Sequence, residues 1–134
     1  MNFVLGTIIT NFSIKILYMF LTLNHQKLEI YTASKTFVKY CYFLTRHLPA
    51  EEKFGMISQI RRAALSVHLN IAEGASRKSE KERKRFYEIA RGSIIEVDAA
   101  LDVAKDLSYL DDYDIIPLGE AMVQTFRLLS GLIR

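Results

Sequence analysis

The sequence has no Trp, a single Cys, two Pro and six Gly among its 134 residues. One Cys excludes an internal disulfide and any zinc site built on cysteine alone, so nothing ties the chain to an oxidising compartment. Scarce Gly and Pro exclude collagen-like and Pro-rich disordered classes, the more so because half of the residues are hydrophobic. A strong excess of one charge is also missing: 18 Lys and Arg against 15 Asp and Glu leave a net charge of +3. The length points to one domain, well below the ~250 residues at which cores divide. Together these features describe a compact, cytoplasmic domain whose function has to be read from arrangement.

Long hydrophobic runs are confined to the N-terminus. From Phe3 to Leu23, 14 of 21 residues are apolar and Lys15 is the only charge. The length suits a membrane span, for which about 20 apolar residues suffice. However, Asn11, Ser13, Lys15 and three Thr interrupt the run, and no small-residue cleavage site precedes Asn24. Residues 1–23 therefore read as an apolar extension outside the fold, with no membrane contact expected and Met19 as a possible later start.

From residue 24 to 134 the hydrophobic period is helical. Leu28, Tyr31, Ser34, Val38, Cys41, Leu44 and Leu48 form one stripe, which Pro49 ends. Pro49-Ala50-Glu51-Glu52 reads as the first turn of a second helix, with the stripe Phe54, Ile57, Ile60, Ala64, Val67 and Ile71 and with Gly74 as a C-terminal cap. Ser79 and Glu82 have the spacing of a capping box for a third helix running to about Tyr109. Its stripe is Phe86, Ile89 or Ala90, Ser93, Val97, Ala100 or Leu101, Ala104 and Leu107. Asp111-Asp112-Tyr113-Asp114 breaks the pattern, and a fourth helix follows with Ile116, Val123, Phe126, Leu129 and Ile133 facing the core. Four amphipathic helices with such short links can bury their stripes only against each other. The expected fold is all-α, an antiparallel up-down four-helix bundle.

Charge is segregated along this bundle. Residues 46–91 carry eleven Lys or Arg against six Glu, and residues 92–126 carry one Lys against eight Asp or Glu. The third helix is thus basic at its start, where Arg77, Lys78, Lys81, Arg83, Lys84, Arg85 and Arg91 could meet phosphates, and acidic later, at Asp98, Asp102 and Asp106. On the second helix, Gln59, Ala63, Ser66, Asn70 and Glu73 repeat every three or four residues and are small or polar. Such a face suits a polar network inside the bundle, a shared pocket or a contact between subunits.

Enzyme chemistry lacks its parts. His25, His47 and His68 have no metal-ligand spacing, and no Glu-x-x-His pair occurs. The three Asp make at best a loose cation site. Cys41 lies on an apolar stripe and reads as a small core residue. No Gly-rich phosphate loop is present. No catalytic residue, cofactor, metal or small-molecule substrate is therefore expected.

Residues 59–74, QIRRAALSVHLNIAEG, followed by Arg77 and then by FYEIARGSIIE at 86–96, resemble a signature of the four-helix-bundle proteins first recognised in intervening sequences of bacterial 23S ribosomal RNA genes. The resemblance covers residue 24 to the C-terminus. It implies a left-handed up-down bundle that assembles as a ring, a homopentamer in known members. Related accessory proteins of diversity-generating retroelements form basic rings that bind nucleic acid and a reverse transcriptase. Arg61, Arg62, Asn70, Glu73, Gly74 and Arg77 match the first motif, and Gly92, Ser93 and Glu96 match the second. In physical terms, Gly92 and Ser93 would allow close helix approach, and Glu73 and Glu96 would pair with Arg61, Arg62 and Arg77. His68 and Leu69 depart from the Pro and small residue common there, which removes a kink. Two functions follow: an oligomer that binds RNA or DNA through its basic surface, or a protein-interaction scaffold using the acidic face or the N-terminal segment.

Overall fold

The computed structural model describes residues 20, 21 and 23–134. The expectation for residues 1–23 therefore lies almost wholly outside the described residues. Within them the chain folds into four α-helices: α1 (Glu29–His47), α2 (Met56–Ala75), α3 (Glu80–Asp106) and α4 (Ile116–Ile133), with 3-10 turns at Asn24–Lys27 and Ala50–Glu52. Each helix packs on its neighbours in sequence, and α4 also returns to α1. Ser34 and Thr45 of α1 meet His68 and Arg61 of α2, in reversed order. Ser93 and Glu96 of α3 likewise meet Ser66 and Arg62 of α2.

One core runs through all four helices, with Phe37, Cys41, Leu44, Ile60, Val67, Ile71, Val97 and Leu129 fully buried. Each such aliphatic or aromatic side chain contributes about 1.5–3 kcal/mol relative to exposure. Buried hydroxyls are satisfied locally: Thr45 Oγ1 donates to the Tyr42 carbonyl and Thr125 Oγ1 to that of Ala121. Cys41 is in this core, and burial pushes its thiol up to about 12.

Several expected boundaries and faces move. Ala50–Glu52 forms a separate 3-10 turn, and α2 begins only at Met56. The Glu52 carboxylate reaches forward to accept from the Met56 N–H at 3.1 Å, serving as a cap from outside the helix. Phe54, expected in the core stripe, sits in the intervening turn and is 89% exposed. Gly74 does not take a left-handed cap conformation; it lies inside the last turn of α2, and no described glycine has a positive φ. In α3 the buried ring is Tyr87, and Phe86 is only partly covered. That helix stops at Asp106, where Ser108 takes the left-handed conformation (φ 63°). The N–H groups of Ser108 and Tyr109 then bond the carbonyls of Lys105 and Ala104, closing the end as a Schellman motif with serine in the usual glycine position. On α1 the core face centres on Ile30, Ala33, Phe37, Cys41 and Leu44, leaving Leu28 exposed and Val38 partly covered. On α4 the buried residues are Leu118, Ala121, Met122, Thr125 and Leu129, while Ile116 and Val123 face outward.

The Ser79 cap is as expected, its hydroxyl accepting from the Glu82 N–H at 3.1 Å. Asp114 Oδ1 does similar service for α4 by accepting from the Ile116 N–H. Among the described residues no helix is long and apolar enough to cross a membrane.

Candidate nucleic-acid interface

The sharp link between α2 and α3 brings the basic residues together. Its tightness comes from Gly74, where an added Cβ would stand 2.9 Å from the Phe86 Cβ and 3.0 Å from the Tyr87 ring. Glycine here lets α3 cross the end of α2 closely enough to seat Tyr87 in the core.

The seven basic residues then divide into two groups. Three are engaged within the chain. Arg77 forms an ion pair with Glu73 and lies over the Phe86 ring, 5.0 Å from its centre. Lys84 pairs with Glu80 at 3.1 Å. Arg83 donates from Nη1 to the carbonyls of Arg77 and Lys78 at 3.1 and 2.7 Å, fastening the link rather than facing a ligand. The other four, Lys78, Lys81, Arg85 and Arg91, have no ion pair or side-chain hydrogen bond among the described residues. Lys78, Lys81 and Arg85 are exposed. Sequence spacing separates them in part: Arg77 and Lys84 each have a glutamate four residues before them, Glu73 and Glu80, whereas Lys81 and Arg85 have no carboxylate at that spacing. Only the return of Arg83 onto the link is without such a signal.

Most of the small and polar face of α2 lies against α3. Ala63 is buried, and Asn70 Nδ2 donates to the Ser66 carbonyl and hydroxyl at 2.8 and 3.0 Å. Ser93 Oγ donates to Ser66 Oγ at 3.1 Å. Gln59 Oε1 accepts from Arg62, which also pairs with Glu96 at 3.1 Å. Ala63 is thus buried and Ser66 and Asn70 are half-buried against α3, while Gln59, Arg62, Glu73 and Glu96 remain exposed. Arg61 departs from its expected carboxylate pairing: its Nε donates to Thr45 Oγ1 at 2.8 Å and its guanidinium stacks on Tyr42 of α1. Gly92 also departs from expectation, since a Cβ there would meet nothing within 4 Å.

A second basic surface escaped the sequence reasoning. Lys35, Arg46 and Lys53 have no carboxylate partner among the described residues and stand 5.7, 5.4 and 5.4 Å from the ring centres of Tyr31, Phe43 and Phe54. The spacing of Lys35, Lys39 and Arg46 along one side of α1 was the available signal.

A family model for the 23S rRNA-intervening sequence protein matches residues 26–131. The chain belongs to that family. No curated protein matches it. The matched span of the 23S rRNA-intervening sequence protein model contains α1, α2, α3 and all but the last two residues of α4, with the 59–74 segment and the whole basic link. Among the described residues, no three His, Cys, Asp or Glu side chains gather where they could hold a metal ion.

Proposed function

We propose that the protein is a non-enzymatic, homo-oligomeric bundle that binds the phosphate backbone of RNA or DNA through the link and first turns of α3. The observation that carries this reading is the set of four unpaired cations, Lys78, Lys81, Arg85 and Arg91. Cations already neutralised by a neighbouring carboxylate release little when a phosphate arrives, whereas unpaired ones displace condensed counterions from the nucleic acid. Assembly into a ring multiplies a modest protomer charge into a strong local field. The reversed order of contacts along α1–α2 and α2–α3 supports an up-down antiparallel course, and we take the left hand and the pentamer from the family resemblance. Its site of action is the cytoplasm.

The test is fluorescence anisotropy with labelled single-stranded RNA and DNA at two salt concentrations. Replacing Lys78, Lys81, Arg85 and Arg91 by Gln is expected to weaken binding to every sequence alike, and to reduce the salt slope by roughly one unit for each phosphate no longer neutralised. Arg83 is left intact because it fastens the link. Equal binding by parent and variant rejects this site. If the parent fails to bind at all, the reading passes to a protein-interaction scaffold, which the open apolar groove beside Asp98 favours.

A further inference from the structure

Among the described residues, the outer face of α4 is a feature that the proposed function leaves unexplained. Ile116, 62% exposed, and Val123 point away from the core, and Gly119 between them leaves a hollow. Together with Ile115, Glu120 and Leu128 they line a groove of about 750 Å³. It shares Val123 and Arg127 with a second groove of about 310 Å³ against Ile95 and Asp98 of α3. An exposed apolar patch rimmed by polar residues, here Glu120, Gln124 and Arg127, marks an interaction surface. The described chain covers only the opposite side of this helix.

Phe54 is the complementary feature. It is the most exposed of the large hydrophobic side chains described. It projects from the α1–α2 turn beside Lys53, and Arg46 is in the last turn of α1 at the same end; neither cation has an ion pair among the described residues. The groove has Glu120 and Arg127 in its lining, and its N-terminal end follows the acidic turn Asp111, Asp112 and Asp114, so the negative charge is at that end. The two features are at the same end of the bundle, because His47 stacks on Tyr113 at 5.1 Å and Tyr109 Oη donates to Glu52 Oε1 at 3.2 Å. They also sit on opposite edges of it, since α1 and α2 form one edge and α3 and α4 the other.

We propose that Phe54 of one copy seats in the Ile116–Gly119–Val123 groove of the next, with Arg46 and Lys53 facing Glu120 and the acidic turn. An aromatic anchor in an apolar pocket with opposite charge at the rim is the usual composition of an energetic hot spot. Side-by-side copies pointing the same way keep knob and groove level, so the contact is head-to-tail and repeats around a rotation axis. A two-fold pairing of groove on groove would leave Phe54 uncovered. This inference rests on the self-association part of the proposed function and specifies its contact.

The experiment is sedimentation velocity of the full chain at micromolar concentration, with circular dichroism as the check on folding. Phe54→Ala keeps the groove and removes the knob; Val123→Lys keeps the knob and fills the groove, with Ile116→Lys as its replacement should Val123→Lys not fold. Each variant alone is expected to dissociate, the contact weakening by about thirty-fold or more, as for truncation of a hot-spot side chain. Mixed one to one, the two variants are expected to give a dimer and nothing larger, because one intact knob meets one intact groove. A parent that is monomeric rejects self-association and this contact together. A parent that is oligomeric, with Phe54→Ala unchanged or with the mixture remaining monomeric, rejects this contact alone.

Discussion

Where α2 meets α3 the α2 side is small or polar, with Ala63, Ser66, Asn70 and Gly74 set against Ser93 and the Phe86 and Tyr87 side chains of α3. Where α3 meets α4 the residues in contact are large and apolar: Ile94, Ile95, Met122, Val123 and Phe126. The polar seam is the closed one, and the apolar seam is the open one. Small side chains let two backbones approach until the Ser66 and Ser93 hydroxyls bond each other across the gap, and no buried side-chain polar atom among the described residues lacks a partner. Large aliphatic side chains hold the helices apart at their outer edge and leave a trough. Hydrophobicity thus marks which surfaces must be covered, whereas side-chain size decides which are covered within the chain.

The sharpest break in this comparison is between adjacent isoleucines. Ile94 is 2% exposed and Ile95 is 55% exposed. Ile94→Ala is expected to cost about 2–5 kcal/mol, the range for an aliphatic side chain truncated in a packed core. Ile95→Ala is expected to remain within about 0.5 kcal/mol of the parent in the intrinsic stability of the protomer. Urea denaturation at low protein concentration measures both, and equal losses would mean that the seam is closed on both sides.

Glycines sharpen the comparison next. At Gly74 a methyl group would collide with Phe86 and Tyr87, while at Gly92 it would meet nothing within 4 Å. Gly74→Ala gains about 1 kcal/mol of helix propensity but incurs about 1–3 kcal/mol of overpacking, for a net loss of about 1 kcal/mol. Gly92→Ala keeps the propensity gain and is expected to stabilise by up to about 1 kcal/mol. Opposite signs in thermal unfolding are the expected result, and stabilisation by both would show that the α2–α3 link is looser than its geometry.

These contrasts also show what could be read in advance. The Ser79 cap and the Cys41, Leu44, Ile60, Val67 and Ile71 positions were legible because cap chemistry and the 3.6-residue period are local. On α4 the period was uninformative: Ile116, Val123 and Phe126 make as good a stripe as Leu118, Met122 and Leu129, and only the neighbouring helices choose between them. Gly74 was legible as a special position but for the wrong reason, since a cap and a close crossing call for the same residue. In the basic segment, the Lys84–Glu80 pair was legible from its i,i+4 spacing, whereas the turn of Arg83 back onto the Arg77 and Lys78 carbonyls is supplied by the fold.

The smallest expected effect concerns the α1–α2 seam, which is closed like α2–α3 but contains a titratable ring. Ser34 Oγ donates to the Tyr31 carbonyl and shares a 2.8 Å hydrogen bond with His68 Nδ1, and the Tyr31 ring lies 4.5 Å from the imidazole. Desolvation in this seam, then the nearby Lys35 and His25, hold the His68 pKa below its ordinary value of 6.5. A depressed histidine pKa means that below pH 6.5 the unfolded chain binds the proton that the folded chain resists. Stability is therefore fully present above that value and is lost as pH falls from it through the folded pKa. The midpoint of thermal unfolding is expected to drop between about pH 7 and pH 5, and the drop is expected to be shallower in His68→Gln. Removal of the ring contact with Tyr31 lowers both ends of that variant's profile by the same amount, so the slope isolates the proton. Parallel profiles in parent and variant would assign the acid sensitivity to other groups, and the imidazole would then be a packing element only.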